Sequence, residues 1–317
     1  MNEKEPLLSI CIPTYNREKY LKRLLDSIVC QKEFTDTDEV EIVVDDGPSS
    51  DNTESIVKDY IKKYWDKIKY YRNQAIWMCP AFLESLNYWR WKYLRLMWSD
   101  DLMSKISLWI VLRKIKTSLP KLILSKWCYY KDLDKESKEV IMKDFNGFQD
   151  FSTYIGINYS WTWREISLDR EAFFTFISVF CINKDYYLFA YKTLVENHIS
   201  KERLSQHYFN FSFISFSQLY VTDTISVIEM PKLVWMSWNQ PSWTSCRKIA
   251  NDLKLEFKYL ENNYTISYCA KKALKKLLHP WIMAGYLAPI KKIIKFCWLF
   301  GVYCKLSEKY RKMCGYS

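Results

Sequence analysis

Tyr93-Leu94-Arg95-Leu96-Met97-Trp98-Ser99-Asp100-Asp101-Leu102-Met103 is the stretch whose reading decides the fold. A short apolar run meets two adjacent carboxylates, and a helix-like segment follows. The pattern predicts a buried strand over Tyr93–Trp98 that delivers Asp100 and Asp101 to the edge of a sheet. In open α/β sheets, ligands bind outside the carboxyl ends of the strands. Adjacent acids repel and lose hydration, so a cation or hydrogen-bond donors must compensate them. Hard cations such as Mg²⁺ or Mn²⁺ take oxygen ligands and are held by one or two carboxylates together with substrate phosphates. The competing reading is a cap, with Ser99 or Asp100 closing the N-terminus of a helix that begins near Leu102.

What precedes this stretch favours a site. Leu7–Thr14 reads as a strand running into Thr14-Tyr15-Asn16. Tyr20, Leu21, Leu24, Leu25, Ile28 and Val29 then recur at helical spacing over 18–31. Val40–Val44 is a β-branched run that stops at Asp45-Asp46-Gly47-Pro48-Ser49-Ser50-Asp51-Asn52-Thr53, a turn followed by a helix start. A second amphipathic segment covers 54–65, a short strand covers Ile68–Tyr71 and ends in Arg72-Asn73, and 81–89 reads as helix. Strand and helix therefore alternate up to Trp98, which predicts a parallel, right-handed, doubly wound sheet. Four strand ends carry polar clusters: Thr14/Asn16, Asp45/Asp46, Arg72/Asn73 and Asp100/Asp101. One could be a turn; four on one edge describe a site.

Composition narrows the classes. The 317 residues suit one large α/β domain with an appendage or two small domains, and 49% hydrophobic residues are ample for a core, which excludes global disorder. A net charge of +11 points to an anionic partner. The ten cysteines show no CxxC pair or metal-ligand spacing, so reduced thiols in a cytoplasmic protein are expected. The charged N-terminus lacks a signal-peptide core, and no apolar run nears the roughly 20 residues that span a bilayer.

Ile12-Pro13-Thr14-Tyr15-Asn16-Arg17, Val43-Val44-Asp45-Asp46-Gly47, Arg72-Asn73 and Ser99-Asp100-Asp101 stand in an order that resembles the motifs of the family 2 glycosyltransferases. The likeness is strongest to the branch that builds bacterial O-antigen and capsule, including abequosyltransferase-like proteins, and it covers about residues 7–115. It implies a GT-A fold, a doubly wound mixed sheet, here with a basic helical C-terminal extension. It implies an inverting enzyme that moves a sugar from a nucleotide-diphospho-sugar, a UDP-sugar being favoured, to a saccharide or polyprenyl-linked acceptor in cell-envelope polysaccharide synthesis. Thr14, Tyr15, Asn16, Asp45, Asp46, Arg72 and Asp100 would bind the nucleotide-sugar, and Asp101 would coordinate Mn²⁺ or Mg²⁺. The expected layout is a transferase domain over 1–230, with a nucleotide half at about 7–115 and an acceptor half at about 116–230. Residues 231–317 would form an aromatic loop and basic helices.

The chain departs from the family pattern in three places. Trp98 stands where many relatives carry an acid, the turn after Asp46 is one residue longer, and Trp77 and Trp91 occupy places where relatives usually have glycine. The chain has 14 Trp and only 6 Gly, whereas glycine is normally about 7% of residues. Two readings stand: a truly tryptophan-rich protein, or UGA codons that the source organism reads as glycine.

An inverting transferase needs a base for the acceptor hydroxyl. Asp185, Glu196, Glu202 and His207 are the candidates, and no motif separates them. Lys121–Ser125 and a run ending at Asn183 are expected strands, 187–196 a helix, 132–144 a solvated loop, and Trp235–Trp243 an aromatic loop able to stack on a sugar. Lys271, Lys272, Lys275, Lys276, Lys291, Lys292 and Lys295 flank apolar positions at helical spacing. That pattern suits a helix lying on an anionic membrane surface, the inner face of the cell membrane, or one packed on the domain. Two other functions compete with this reading. A nucleotidyltransferase would carry a Gly-rich basic loop where this chain has Pro-Thr-Tyr-Asn. A nucleic-acid-binding protein would suit the charge, but the excess of basic over acidic residues lies in the C-terminal third and no RNA-binding signature occurs.

Overall fold

Four of the apolar runs become neighbouring parallel strands. The computed structural model describes residues 6–73, 92–125, 127–130, 149–152, 177–197, 199–200, 224–228 and 234–237, and positions 251, 254, 255, 258 and 262. Strands β1 (Leu8–Thr14), β2 (Val40–Asp46), β3 (Ile68–Arg72) and β4 (Tyr93–Leu96) lie in the order β3-β2-β1-β4. All three pairings are parallel, with Thr14 opposite Asp46 and Asp46 opposite Arg72. Parallel direction puts all four carboxyl ends, and their polar clusters, on one edge. This is the predicted doubly wound arrangement.

Alternation along the strands builds the core. Leu8, Ile10 and Ile12 of β1 and Val40, Ile42 and Val44 of β2 share one face and pack with Leu21, Leu24, Leu25 and Ile28 of helix α1 (Glu18–Val29). Those four helical positions fall at i, i+3, i+4 and i+7, one stripe of the helix. Phe34 of helix α2 (Lys32–Thr35) and Val57 of helix α3 (Thr53–Tyr64) join the same core. On the opposite face of the sheet, the Ser9 hydroxyl donates to the buried Glu41 carboxylate.

After the two acids the chain departs from expectation. No helix begins at Leu102: Leu102–Met103 is a two-residue strand, β5, and helix α4 covers Ser107–Ser118. β5 pairs antiparallel with β11 (Val234–Ser237), which pairs parallel with β7 (Trp127–Tyr130). The start of the expected aromatic loop is thus a strand; 238–243 lie outside the described residues. The main sheet continues through β6 (Leu122–Ser125), β8 (Gln149–Ser152), β9 (Phe180–Asn183) and β10 (Thr224–Ile228), giving eight strands in the order β3-β2-β1-β4-β9-β6-β10-β8. β9 runs antiparallel to both β4 and β6, so the sheet is mixed. Helix α5 covers Lys184–Asn197. The readings of 81–89 as helix and 132–144 as loop, Trp77, Trp91 and the lysines from 271 to 295 lie outside the described residues.

Trp65 bears on the tryptophan excess. It follows the last turn of α3, is 79% exposed, and has φ 47° and ψ −124°. Its N–H still donates to the Ile61 carbonyl. Glycine enters this region freely, whereas a bulky residue there is strained, and the position after a helix end is where glycine is commonest. Trp65→Gly should therefore raise Tm by a few degrees, for relief of roughly 1–2 kcal/mol, and Trp65→Ala should not, because alanine keeps the Cβ. Thermal unfolding of both variants checks this. A UGA codon at position 65 would join the backbone to the recoding reading, and UGG would leave a strained tryptophan.

Candidate functional site

The loops after β1 and β2 are laced together at the sheet edge. The Asn16 N–H donates to Ser49 Oγ (2.8 Å), and the Ser50 N–H donates back to Asn16 Oδ1 (2.8 Å). Asn16 adopts φ 51°, a left-handed conformation that asparagine tolerates better than most residues. Asp51 caps both helices: it accepts from the Glu18 N–H of α1 (3.0 Å) and from the Thr53 N–H of α3 (3.0 Å). Thr53 is thus a first-turn residue and Asp51 supplies the cap. Within this frame Tyr15 is exposed, while Thr14 is 5% exposed and its hydroxyl has no partner among the described residues.

Asp45 and Asp46 are neighbours on one strand and so point to opposite faces. Asp46 is fully buried and accepts from Ser49 Oγ (2.5 Å) and from the Tyr70 hydroxyl (2.7 Å). Burial raises its pKa and those two bonds draw it back. Asp45 accepts from Asn73 Nδ2 (2.5 Å). Burial, eased by Asn73 and reinforced by the Asp46 charge, pushes its pKa up to about 6. Arg72 turns to the start of α3, donating to Glu54 Oε2 (2.5 Å) and to the Ser49 carbonyl (2.9 Å). Asn73, rather than Arg72, is what the β3 end contributes to Asp45.

The acidic pair sits in a turn closed by the Asp101 N–H donating to the Trp98 carbonyl (3.0 Å). With the next helix starting at Ser107, neither Ser99 nor Asp100 caps it. Asp100 pairs with Arg17 Nη1 at 3.3 Å, which joins the β4 edge to the β1 loop. Burial pushes the Asp100 carboxyl up and the Arg17 guanidinium pulls it back. Asp101 is 4% exposed and accepts from Ser178 Oγ (2.5 Å). Arg17, Asn73, Ser49 and Ser178 complete this edge. Arg17 and Asn73 stand inside the quoted motifs, where no role was assigned to them; Ser178 carries no sequence signal.

Of the proposed bases, Asp185 lies away from this edge. Asn183 pairs with Tyr93, at the amino end of β4, so Asp185 starts α5 on the edge opposite the acidic turn. That placement removes Asp185 from the site. Glu196 is exposed near the end of α5 with Lys192 at 3.7 Å, and Glu202 and His207 lie outside the described residues.

Among the described residues, no group of three or more His, Cys, Asp or Glu side chains forms a metal site by itself. The acidic turn offers oxygen donors only, from adjacent carboxylates at a strand end. That set fits a hard divalent cation completed by phosphate and water, and does not fit a soft or structural metal.

The profile of glycosyl transferase family 2 matches residues 9–167, half of the chain, from β1 through β8. The chain belongs to glycosyl transferase family 2. It is 38% identical over 107 residues to the abequosyltransferase RfbV of Salmonella typhimurium, a match covering 33% of this chain and 31% of that protein. It is 42% identical over 69 residues to the GalNAc(5)-diNAcBac-PP-undecaprenol beta-1,3-glucosyltransferase of Campylobacter jejuni, covering 22% and 21%. The aligned segments thus span less than a third of either relative. In fold the chain is similar to S. aureus TarS 1-349, with TM-score 0.57 and 18% identity over 90% of this chain and 73% of that one. It is also similar to the mannosyltransferase PcManGT of Pyrobaculum calidifontis, with TM-score 0.56 and 12% identity over 97% and 81%. The fold is GT-A, a mixed α/β sheet. The nucleotidyltransferase and nucleic-acid readings gain no support from these relatives.

Proposed function

We propose that this family member is an inverting glycosyltransferase of cell-envelope polysaccharide assembly, moving a sugar from a nucleotide diphosphate to a saccharide or polyprenyl-linked acceptor. The observation that supports the reading is that the strand ends carrying Thr14, Asp45 and the Asp100–Asp101 turn share the carboxyl edge of the parallel strands β1, β2 and β4, with Arg17 joining the β1 loop to Asp100. Relatives support it in kind. One TarS structure is a complex with UDP-GlcNAc, and PcManGT was solved with GDP-Man and Mn²⁺. The Campylobacter relative is named for an undecaprenol-linked substrate.

In this reading Asp45, with Thr14, Tyr15 and Asn16 beside it, receives the base and ribose. Asp46 builds the pocket wall, holding Ser49 and through it Asn16. Asp100 lies towards ribose and sugar, positioned by Arg17. A divalent cation held by Asp101 would neutralise charge on the departing diphosphate. A base from the acceptor side, with Glu196, Glu202 and His207 as candidates, takes the acceptor proton. The acceptor oxygen attacks the anomeric carbon in line, the bond to the diphosphate oxygen breaks, and the anomeric configuration inverts. UDP-sugars are the favoured donors. A screen of nucleotide-sugars for transfer and hydrolysis with Mn²⁺ or Mg²⁺ tests this: release of nucleotide diphosphate from one donor class is expected, and no release from any would overturn it.

A place on the inner face of the membrane is part of the proposal, resting on the lysine-flanked apolar pattern after residue 265. No helix among the described residues is long and apolar enough to cross a bilayer.

A further inference from the structure

The acidic turn is held from outside its own segment. Ser178, just before β9, is fully buried, and its Oγ lies 2.9 Å from the Trp98 nitrogen and 2.5 Å from Asp101 Oδ2. An N–H only donates, so Oγ accepts from Trp98; its single proton then goes to the Asp101 carboxylate. One hydroxyl therefore grips both ends of the turn, fixing the backbone where the acids begin and the orientation of the last acid.

Ser178 is itself anchored by an unusual group. Its carbonyl accepts from Arg95 Nη2 at 3.3 Å, and the same nitrogen donates to Ser125 Oγ at 3.2 Å. Arg95 is fully buried, and among the described residues its Nε and Nη1 have no hydrogen-bond partner and no ion pair joins it to a carboxylate. A buried cation without an anion costs stability. An apolar side chain at this core position would avoid that cost, yet the arginine's hydrogen bonds go to Ser125 and to the segment that positions Asp101.

We infer that Ser178 is a positioning residue for the donor site: anchored by Arg95, it orients Asp101 for the cation that accompanies the nucleotide diphosphate. The inference rests on the reading of this edge as a nucleotide-sugar site. Side chains that hydrogen-bond a metal ligand commonly change metal affinity by about 10–100-fold when removed. A purely structural serine would change stability and leave the metal dependence of binding alone.

The test is UDP titration into the full chain and its Ser178→Ala and Ser178→Thr variants, with Mn²⁺ and with chelator. Ser178→Ala should lose about tenfold or more of UDP affinity with Mn²⁺ and less than about twofold without it. Ser178→Thr, which keeps the hydroxyl, should retain most of the Mn²⁺-supported affinity. An equal loss in both conditions, or no loss, overturns the positioning role while the site reading stands. No UDP binding by the wild type in either condition overturns both.

Discussion

Asp101→Asn should lower kcat by roughly 10²–10³-fold and abolish the Mn²⁺-dependent part of UDP binding, with Tm nearly unchanged. The size follows from what is removed, a fixed charge that holds the counter-ion of a departing diphosphate. The fold should survive because asparagine is isosteric and its carbonyl can still accept from Ser178 Oγ, the bond made by Asp101 Oδ2. Capping cannot account for a loss, since α4 begins six residues later, at Ser107. Steady-state kinetics beside a thermal melt check the prediction; wild-type turnover in the variant would remove Asp101 from the metal role.

The second large effect separates Asp46 from Asp45. Asp46→Ala leaves the buried Ser49 hydroxyl without its acceptor, at about 1–3 kcal/mol, and also removes the acceptor of the half-buried Tyr70 hydroxyl. A fall in Tm of roughly 5–15 °C is expected, with the Asn16 loop loosened in consequence. Asp45→Ala should instead be mild in stability and severe in nucleotide affinity. Its pKa gives a further handle. An acid raised from 3.8 to about 6 in the folded state contributes stability below pH 3.8 that is lost as pH climbs through 6. At neutral pH the buried charge therefore costs up to about 3 kcal/mol, and Asp45→Asn should be more stable than wild type there and equal to it in acid. Nucleotide donors need the ionised form, so UDP affinity should rise through pH 6 in the wild type and stay flat in Asp45→Asn. Urea melts and UDP titrations across this range measure both. A flat wild-type profile would place the nucleotide elsewhere.

Much of this edge was readable because parallel strands buried on both faces are written as apolar runs, and their ends as polar turns. Leu8–Thr14 and Val40–Asp46 follow that grammar, whereas Ile68–Arg72, at the sheet edge, is buried only at Ile68. Leu102–Met103 does not, because two apolar residues carry no period and their partner Val234–Trp235 lies far along the chain. Asp185 looked like an acid at a strand end, and only the antiparallel direction of β9 sends it to the wrong edge. Arg95 hides inside an apolar run, and Ser178 is a lone serine in an aromatic segment. Their roles arise from β9 inserting beside β4, a pairing across more than eighty residues that local pattern does not encode. Trp98 leaves the turn without the acid that many relatives carry at that place, and its backbone N–H donates to Ser178 Oγ.

Isothermal titration of UDP into the 317-residue chain, with Mn²⁺ and then with chelator, tests the central claim most directly. The account predicts saturable binding that weakens on chelation and on acidification below about pH 6, where Asp45 takes up its proton. Binding of an oligonucleotide with no binding of UDP under any of these conditions would contradict it.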